Sequence, residues 1–411
     1  MDGINSGDTA WILVSTALVV MMTPALGFFY GGMIRRKNIL STLNLSMIMM
    51  GVISLQWVLF GYSLAFGDSI GGLVGGFNYL GFSGVGAEPT EGSTIPHILF
   101  AAFQMTFAVI TPALITGAFV ERIRFRTYLV FSVIWATLVY DPVAHWAWGG
   151  GIFGEGGIFG DSFALDFAGG TVVHITAGFS ALAFALCIRK RKNFSREGAI
   201  RPHNIVYTVL GAGLLWVGWF GFNGGSALAA DGIAALAIVN TNTAAAAAAI
   251  VWMLLAWNDR KPSVLGIVTG AVCGLVAITP AAGFVTPMSA IIIGAVAAPV
   301  SYFTIGFREK RGLDESLDVW ACHGMSGAWG ALAAGIFATT AVNAGGADGL
   351  LYGNSYQFIV QLIAVVIAIV FSFVVTFVLA KVLDGVMGLS VSEQEEEVGL
   401  DISEHGERAY S

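Results

Sequence analysis

The chain has 411 residues, of which 56% are hydrophobic and only 11% are charged. A soluble domain carries about 25% charged residues, so this composition excludes an ordinary soluble protein. The formal net charge is −7, and no charge-rich linker divides the sequence. We therefore predict one transmembrane domain over residues 1–388 and a short cytoplasmic tail over residues 389–411.

Apolar runs follow one another along the chain, and each is close to the roughly 20 residues that a spanning helix needs. They occupy residues 10–33, 39–66, 95–119, 127–147, 168–188, 204–227, 241–257, 263–280, 287–306, 318–340 and 355–386. The pattern predicts an all-α integral membrane protein with eleven transmembrane helices. The N-terminus lacks the basic residues that open a cleaved signal peptide, so the first run is expected to be retained.

The 19 Lys and Arg residues are confined to alternate connections. They cluster near residues 35–37, 122–126, 189–201, 260–261 and 308–311, and again at Lys381 and Arg408. Because basic residues stay on the cytoplasmic side of a membrane, we predict a multi-pass protein of the cell membrane. Its N-terminus is expected outside and its C-terminus in the cytoplasm.

The predicted outer face carries acidic residues and no basic side chain. Its carboxylates are Asp2, Asp8, Asp68, Glu88, Glu91, Glu155, Asp161, Asp166, Asp231 and Asp348. An acidic face raises the local concentration of cations, which would suit a cationic substrate. The alternative, that these are solvated loop charges left after basic residues were excluded, stays open.

Two parts of the chain echo each other. Residues 27–32 (GFFYGG) end the first span and residues 220–225 (FGFNGG) end the sixth, while a Leu-Asp pair opens both the fifth and the tenth. A repeat of five spans must be inverted in the membrane, so we predict two inverted five-helix repeats plus a long C-terminal helix. Such repeats place the working site near the midplane, at their interface.

His174 and His323 occupy equivalent places in the two predicted repeats. Ionisable groups inside a membrane are costly and usually face a pathway or a partner, so a hydrogen-bonded pair lining a pore is one interpretation. The alternatives are satisfied core histidines and bis-histidine haem ligation. Haem is the weaker of these, because Gly and Ala crowd both helices and predict close packing.

Aromatic residues gather at the predicted outer ends of several spans. Phe103 and Phe107 share one helical face, and the other members are Trp146, Trp148, Trp216, Trp219 and Phe222, the last followed by Ser226. Aromatic faces attract cations, but an interfacial aromatic belt or core packing would give the same pattern. Asp166, at the start of the fifth span, is expected to cap its helix or to stabilise a nearby cation, and Asp318 invites the same interpretation on the inner side.

The three cysteines, Cys187, Cys273 and Cys322, all lie in apolar runs. Their spacing fits neither a metal site nor a disulfide framework. We interpret them as small packing residues, since free Cys behaves as a small hydrophobe.

Several motifs together resemble the ammonium transporter family (Amt/Mep/Rh), and specifically its Amt branch. They are residues 27–32, 119–122, 145–151, 164–174, 216–226, 279–283 and 318–324, with the tail segment 399–410. The resemblance runs the full length of the chain. The stretch from Trp320 to Cys322 before His323 is the part that varies most.

The resemblance implies a homotrimer with one narrow pore in each subunit. It implies that ammonium, or its analogue methylammonium, is recruited at Phe107, Trp148 and Ser226, above a gate of Phe107 and Phe222. His174 and His323 would line the pore beside Trp219, and a supporting group would consist of Asp166, Phe103 and Thr279. Ammonium would be deprotonated and ammonia conducted, with proton co-transfer left open. No catalytic residue, cofactor, metal or nucleic-acid partner is expected.

The tail is predicted to be ordered and regulatory, because the resemblance implies tails that dock on the cytoplasmic face and couple neighbouring subunits. Its acidic residues would meet the basic loops around Arg122, Arg189 and Arg308, on the face where the family binds a PII-type signalling protein. Two other classes stay open: an ammonium sensor without sustained flux and a membrane redox enzyme. A sensor is expected to need a larger added domain than the 389–411 tail.

Overall fold

The computed structural model describes residues 3–192, 194, 201–259 and 261–410. Arg260, which was predicted to face the cytoplasm, lies outside these residues, as do Asp2 and Ser411. The α-helices are α1 Ser6–Met33, α2 Ile39–Gln56, α3 Tyr62–Phe66, α4 His97–Ile115, α5 Phe125–Trp135, α6 Asp141–Trp148, α7 Thr176–Cys187, α8 Ile205–Gly225, α9 Gly232–Asp259, α10 Val264–Ile278, α11 Pro287–Lys310, α12 Ser326–Phe337, α13 Ser355–Met387, α14 Glu393–Val398 and α15 Leu400–Ser403.

Four π-helical segments extend or join these helices. Trp57–Gly61 joins α2 to α3, Ala136–Tyr140 joins α5 to α6, Gly170–Ile175 leads into α7, and Trp320–Met325 leads into α12. Short 3-10 turns lie at Arg36–Asn38, Leu80–Phe82, Thr116–Ala118 and Leu350–Tyr352. One small antiparallel hairpin pairs β1 (Ser69–Ile70) with β2 (Val74–Gly75). The predicted all-α membrane architecture is therefore confirmed.

The helices follow the predicted spans closely. Among the described residues, nine helical segments are long and apolar enough to cross a membrane. The eighth predicted span corresponds to the shorter Val264–Ile278, and the tenth to a π-segment followed by α12.

The seventh span was predicted too short, because its helix begins at Gly232 rather than near residue 241. The predicted span began at Thr241 and left polar Asn240 outside, but both side chains are buried. Asn240 Nδ2 donates to the carbonyl oxygens of Ala282 and Val285 at 2.8 and 2.7 Å, and Thr241 Oγ1 donates to Ala237 O. These hydrogen bonds remove the cost of burying polar groups in an apolar span.

The connections gather on two opposite faces of the helical bundle. We call the first the acidic face: residues 67–96, 149–169, 226–231, 279–286 and 338–354, none of which is Lys or Arg. Its loops bond to one another, for example Ile152 N to Gly72 O at 3.0 Å and Phe167 N to Pro280 O at 3.1 Å. Thr94 and Ala230 both donate to Asp8, which ties the start of α1 to this face.

We call the second the basic face: the connections 34–38, 119–124, 188–192, 201–204, 261–263 and 311–319, with the tail 389–410. Its centre is the buried carboxylate of Glu121, which pairs with Arg35 and with Arg191 at 2.8 Å each. Arg191 also pairs with Asp314 at 2.6 Å. Burial raises the pKa of Glu121, but the guanidinium groups of Arg191 and Arg35 outweigh it and hold that pKa below its ordinary value.

The tail packs along the basic face. Its buried Glu396 pairs with Arg189 at 2.6 Å and Arg35 at 3.3 Å, while Lys192 pairs with exposed Glu397. Arg124 donates to the carbonyl oxygens of Ser390 and Met387. Among the described residues, acid–base pairs therefore join the tail to Arg189, as predicted.

The tail also meets the loop around Arg122, as predicted, because the acidic Glu404 accepts from Phe125 N at 2.9 Å. Among the described residues, neither the Arg122 nor the Arg308 guanidinium pairs with a tail carboxylate, so the prediction is wrong for Arg308. Arg122 lies 3.6 Å from Asp314 and touches the tail only through its backbone, whose oxygen accepts from Val391 N. Arg122 is held by Asp314 of the connection 311–319, and Arg308 is held by Glu309 and Asp318, which follow it closely in the chain.

The two histidine-bearing segments cross where neither has a side chain. Gly178 of α7 lies against the backbone of Gly324, so a Cβ at Gly178 would overlap it. A Cβ at Gly327 would come within 3.0 Å of His174 Cβ. Because the two backbones approach so closely at this crossing, the distance between the imidazoles of His174 and His323 is fixed.

Candidate functional site

Three cavities lie along one path between the two faces. A cavity of about 250 Å³ opens on the acidic face, and one of about 240 Å³ opens on the basic face. Between them lies a narrow lumen of about 10 Å³, room for about one water molecule. Apart from two imidazoles and the indole of Trp219, the lumen wall is apolar, formed by Met22, Leu26, Phe29, Ile110, Leu114, Val173, Leu215, Phe222 and Val272.

Phe107 and Phe222 separate the acidic-face cavity from the lumen. Their ring centroids are 4.2 Å apart with an interplanar angle of 33°, and both side chains are 1% exposed. Phe107 lines the acidic-face cavity and Phe222 lines the lumen. The stacked rings therefore close the path unless they move.

His174 and His323 face each other across the lumen. The two Nδ1 atoms are 3.3 Å apart, so one imidazole donates while the other accepts. His174 stacks on Trp219 at a centroid distance of 5.3 Å and on Phe222 at 5.9 Å. Trp219 Nε1 in turn donates to Thr279 Oγ1 at 2.9 Å, which holds the indole in place.

The histidine geometry is incompatible with haem between the two rings. Nitrogen atoms 3.3 Å apart leave no room for an iron porphyrin, and the crossing at Gly178 and Gly324 forbids a wider gap. The bis-histidine haem interpretation is therefore dropped.

The acidic-face cavity contains the three predicted recruitment residues. Phe107, Trp148 and Ser226 all line it. Trp148 meets Phe107 edge to face at 6.2 Å and donates to Asp166 O at 2.9 Å. The Ser226 hydroxyl donates to Phe222 O at 2.8 Å, so its oxygen lone pairs remain able to accept.

Sequence reasoning missed other residues of this wall. Phe66, Phe100, Gln104, Phe167 and Leu228 complete it. Gln104 stands one residue after Phe103 and one turn from Phe107, so a search for polar residues on the Phe107 face of α4 could have found it.

Some aromatic residues of the predicted cluster lie away from the path. Trp146 packs on Phe153 and Phe371 and donates to Leu73 O. Trp216 is partly exposed and donates to Asn242. Phe103 supports Phe107 from behind, edge to face at 5.0 Å, without lining a cavity described above.

Asp166 caps the segment that carries His174. Its two carboxylate oxygens accept from the backbone N–H groups of Gly169, Gly170, Thr171 and Val172 at 2.6–3.2 Å. The side chain is 8% exposed and lines none of the three cavities. Four such bonds satisfy the donors that every helix N-terminus leaves free.

Asp318 does not cap its helix, so the first of the two roles predicted for it is wrong. Its φ is +58°, and its carboxylate lies 2.7 Å from Arg308 Nε. Glu315 takes the capping position instead, since its Oε1 accepts from Trp320 N at 2.9 Å. The guanidinium of Arg308, on the preceding helix, pairs with the Asp318 carboxylate. The acidic face has no Lys or Arg that could pair with Asp166 in the same way.

The basic-face cavity reaches His323 from the other side. Its wall includes Tyr30, Met33, Asp318, Cys322 and His323. Tyr30 is buried, and its hydroxyl donates to Leu114 O at 3.0 Å. The sequence analysis singled out His323 and Asp318 here, but it did not predict a cavity, because the sequence signals pointed to the aromatic residues of the other end.

Two cavities, one open on each face and joined by a narrow apolar lumen, define a helical membrane protein of the transporter or channel class. The sequence profile of the Ammonium Transporter Family matches residues 10–410. The chain belongs to the ammonium transporter family, and it is a membrane transporter rather than an enzyme.

The individual relatives agree over nearly the whole chain. An ammonium transporter of Bacillus subtilis is 51% identical over 412 residues, covering 99% of each protein. The crystal structure of Candida albicans Mep2 superimposes with a TM-score of 0.89 at 35% identity, covering 100% of this chain and 91% of that one. A structure described as a Sensor Amt Protein gives a TM-score of 0.88 at 29% identity, covering 97% and 98%.

Proposed function

We propose that this protein transports ammonium across the cell membrane by recruiting it in the acidic-face cavity and conducting ammonia through the lumen. The observation that carries the proposal is the apolar lumen in which His174 and His323 face each other behind the stacked rings of Phe107 and Phe222. The family membership supports ammonium as the substrate.

The size and polarity of the lumen argue against passage of the intact ion. Desolvating an isolated ammonium ion in a medium of low dielectric costs on the order of tens of kcal/mol, whereas each cation–π contact returns about 0.5–2 kcal/mol. The ion therefore loses its proton in the acidic-face cavity, and neutral ammonia passes the imidazoles. Proton co-transfer along the histidine pair is a further part of the proposal.

Recruitment rests on Phe107, Trp148 and Ser226. Two aromatic faces and a hydroxyl acceptor suit an ion with four N–H donors, and they suit sodium poorly because sodium would exchange its water for soft π-faces. Trp148→Leu is expected to change the rate or the discrimination between ammonium and methylammonium. Trp146→Leu removes a neighbouring indole off the path and is the control. Equal behaviour of the two variants would remove Trp148 from the site.

The histidine pair gives the decisive experiment. We expect His174→Ala and His323→Ala to abolish or greatly alter selective conduction in proteoliposomes without unfolding the protein. Each variant leaves one buried imidazole unsatisfied, at a cost of about 1–3 kcal/mol. His97→Ala is the control, because it removes a buried imidazole bonded to Tyr62 that lines none of the three cavities. Full ammonium-selective activity in the double Ala variant would refute the lumen assignment.

We propose that the acidic face lies outside the cell and the basic face in the cytoplasm, with the N-terminus outside. The complete segregation of Lys and Arg supports this orientation. Single-cysteine labelling at Arg35, Arg124, Lys192 and Arg311, in a background without native cysteines, tests it. An impermeant reagent that modified any of these positions from outside would overturn it.

We also propose a homotrimer whose tail couples neighbouring subunits and whose basic face binds a PII-type signalling protein. The ion pairs of Glu396 with Arg189 and Arg35 support the regulatory part, because they attach the tail to two connections between spans. Truncation after Gly388 is expected to reduce transport while the trimer stays assembled. Wild-type flux in the truncated protein would remove regulation from the proposal.

A sensor that binds ammonium without sustained flux is the second candidate, favoured by the likeness to the Sensor Amt Protein. Charge-translocation recordings after ammonium pulses separate the two. A current or flux that persists through many turnovers supports transport. A single transient that saturates with binding supports the sensor.

A further inference from the structure

A separate cavity of about 190 Å³ lies on the basic face, between the end of the tail and the connection 34–38. It shares no residue with the three cavities that lie along the path between the two faces. Neither the recruitment nor the conduction proposed above uses it. Its wall is formed by Arg36, Lys37, Asp401, Ile402, Glu407, Arg408, Ala409 and Tyr410.

Tyr410 holds the end of the tail at this cavity. The guanidinium of Arg36 lies over the Tyr410 ring, with its central carbon 4.6 Å from the ring centroid. The Tyr410 hydroxyl lies 3.1 Å from His203 Nε2, and His203 Nδ1 donates to Ile34 O at 3.0 Å. Stacking engages only the face of a guanidinium, so the N–H donors around the edge of Arg36 remain available to an acceptor.

The carboxylates of the wall do not neutralise its two arginines. Asp401 is 3% exposed, and its Oδ1 accepts from Ser41 N at 2.8 Å, so this carboxylate holds the start of α2. Glu407 is exposed to solvent. Among the described residues, no ion pair joins Arg36 or Arg408 to a carboxylate. Within that part of the chain, the wall therefore presents two guanidinium groups that lack an acidic partner.

The remaining charge of the wall favours an anionic ligand. Lys37 adds a third positive charge, and its Nζ donates to the neutral carbonyl oxygens of Glu396 and Glu397. The planar fork of an arginine side chain matches the oxygen atoms of a phosphate group, and such charge-assisted hydrogen bonds are stronger than neutral ones. Two arginines at one small cavity therefore indicate phosphate as the group that is bound.

We propose that this cavity binds one phosphate group between the guanidinium groups of Arg36 and Arg408. Pockets for drug-sized ligands measure about 300–1,000 Å³, and this cavity is smaller, so it suits a phosphate or a small phosphate ester rather than a nucleotide. Two sources supply this chemistry: soluble phosphate, and the headgroup of an anionic phospholipid. Arg36 follows closely after the first span, where basic residues attract anionic headgroups.

A bound phosphate group joins two parts of the basic face. Arg36 belongs to the connection between α1 and α2, and Arg408 belongs to the tail. One phosphate therefore adds charge-assisted hydrogen bonds to a junction at which Arg36 already stacks on Tyr410. Binding should stabilise the docked end of the tail. The step forms only ion pairs and hydrogen bonds, and no covalent bond changes.

Calorimetric titration of the delipidated full-length protein, in a detergent that contains no phosphate, tests the site. The two probes are inorganic phosphate and dihexanoylphosphatidylglycerol, and we expect one of them to bind once per chain. Arg36→Gln and Arg408→Gln should each weaken binding about tenfold or more, the loss expected for a charge-assisted hydrogen bond. Arg311→Gln is the matched control, because Arg311 also lies over an aromatic ring, that of Phe307 at 5.2 Å, but lines none of the cavities described here.

The two probes distinguish the source of the phosphate. Binding of inorganic phosphate alone assigns the cavity to a soluble ligand, and binding of the lipid alone assigns it to a membrane headgroup. Wild-type affinity in both Arg36→Gln and Arg408→Gln would overturn the proposal. An equal loss in Arg311→Gln, or no binding of either probe, would do the same.

Hydrogen exchange covers the case in which Arg36→Gln loosens the tail, because that variant also loses the stacking on Tyr410. The probe that binds should slow amide exchange at residues 407–410 of the wild-type protein and leave residues 311–319 unchanged. Arg408→Gln should remove this protection. Protection that persisted in Arg408→Gln, or that was absent from the wild type, would overturn the proposal. Both measurements report binding rather than flux, so their outcome stands apart from the proposed function.

Discussion

On the acidic face the carboxylate of Asp166 is satisfied by backbone N–H groups, whereas on the basic face Glu121 and Asp314 are satisfied by guanidinium groups. The difference follows from where Lys and Arg are allowed in the chain. On a face without side-chain cations, buried carboxylates are satisfied by neutral donors: Asp166 by the N–H groups of its own segment, and Asp8 by Thr94 Oγ1 and Ala230 N. A face rich in arginine lets one carboxylate join several connections through charged pairs. The same residue type is therefore held by neutral donors on one face and by a network of charges on the other.

The largest expected effect is on the basic face. Glu121→Ala removes the shared partner of Arg35, Arg191 and Asn38, and leaves buried positive charge uncompensated. Breaking a buried ion pair in this way costs about 3–5 kcal/mol. Thermal unfolding in detergent should show a large loss of stability. Glu397→Ala, which breaks the exposed pair with Lys192, is the control and should change little. A stable Glu121→Ala protein would mean that the network is not what joins these connections.

A matched pair of substitutions compares the two aspartates directly. Asp166→Asn turns an amide group toward backbone donors that need an acceptor, so we expect a loss of about 2 kcal/mol together with impaired transport. Asp318→Asn should cost less than about 1 kcal/mol, because Asn tolerates a positive φ and Arg308 keeps its bonds to Leu313 O and Glu315 O. Equal losses of stability in the two variants would show that the two aspartates, which occupy equivalent positions in the sequence repeat, also have equivalent roles.

The stability of the protein should depend on pH through the buried Glu315 of the basic face. Burial, with a further contribution from Asp318, raises the pKa of Glu315 from 4.5 to about 8. The folded state therefore binds a proton more tightly than the unfolded state, and its stability should fall as the pH rises from 4.5 to 8. The limiting slope is about 1.4 kcal/mol per pH unit.

Glu315→Gln tests this slope, because it keeps an oxygen for Trp320 N and removes the titration. As the pH rises through this window, the unfolding free energy of the wild type should fall relative to that of the Gln variant. A difference that stayed constant from pH 5 to pH 8 would contradict the raised pKa.

The most local effect is expected at the tail. Glu396→Gln keeps the shape of the side chain and weakens its pairs with Arg189 and Arg35. We expect a modest loss, about 1–2 kcal/mol of tail docking, with the helical bundle intact. Faster amide hydrogen exchange confined to residues 389–410 would confirm it. Exchange that rose equally at Glu121 and its neighbours would show that the tail and the network unfold together.

Patterns governed by one dominant force were predictable from the sequence. Burial of apolar residues gave the spans, and the exclusion of Lys and Arg from one side predicted the two faces. Pseudo-symmetry predicted the meeting of His174 and His323. The role of Asp318 was not predictable, because it depends on Arg308, which lies in another helix and competes for the same carboxylate. The start of the seventh span at Gly232 was missed because Asn240 is polar. In the sequence alone, a polar residue that is buried and hydrogen-bonded within the fold cannot be distinguished from the boundary of a span.

Both histidines lie in π-helical segments. In the segment that carries His174, Thr176 N bonds to Thr171 O, five residues back. A π-turn holds one residue more than the α-turn it replaces. The wide turn therefore adds one residue to the segment that carries His174 without rotating α7 against its neighbours, and Gly178 still meets Gly324. A deletion inside α7 itself has no wide turn to absorb it, so it would rotate the residues beyond it by about 100°. A single-codon deletion in α7 should therefore be less tolerated than most substitutions there.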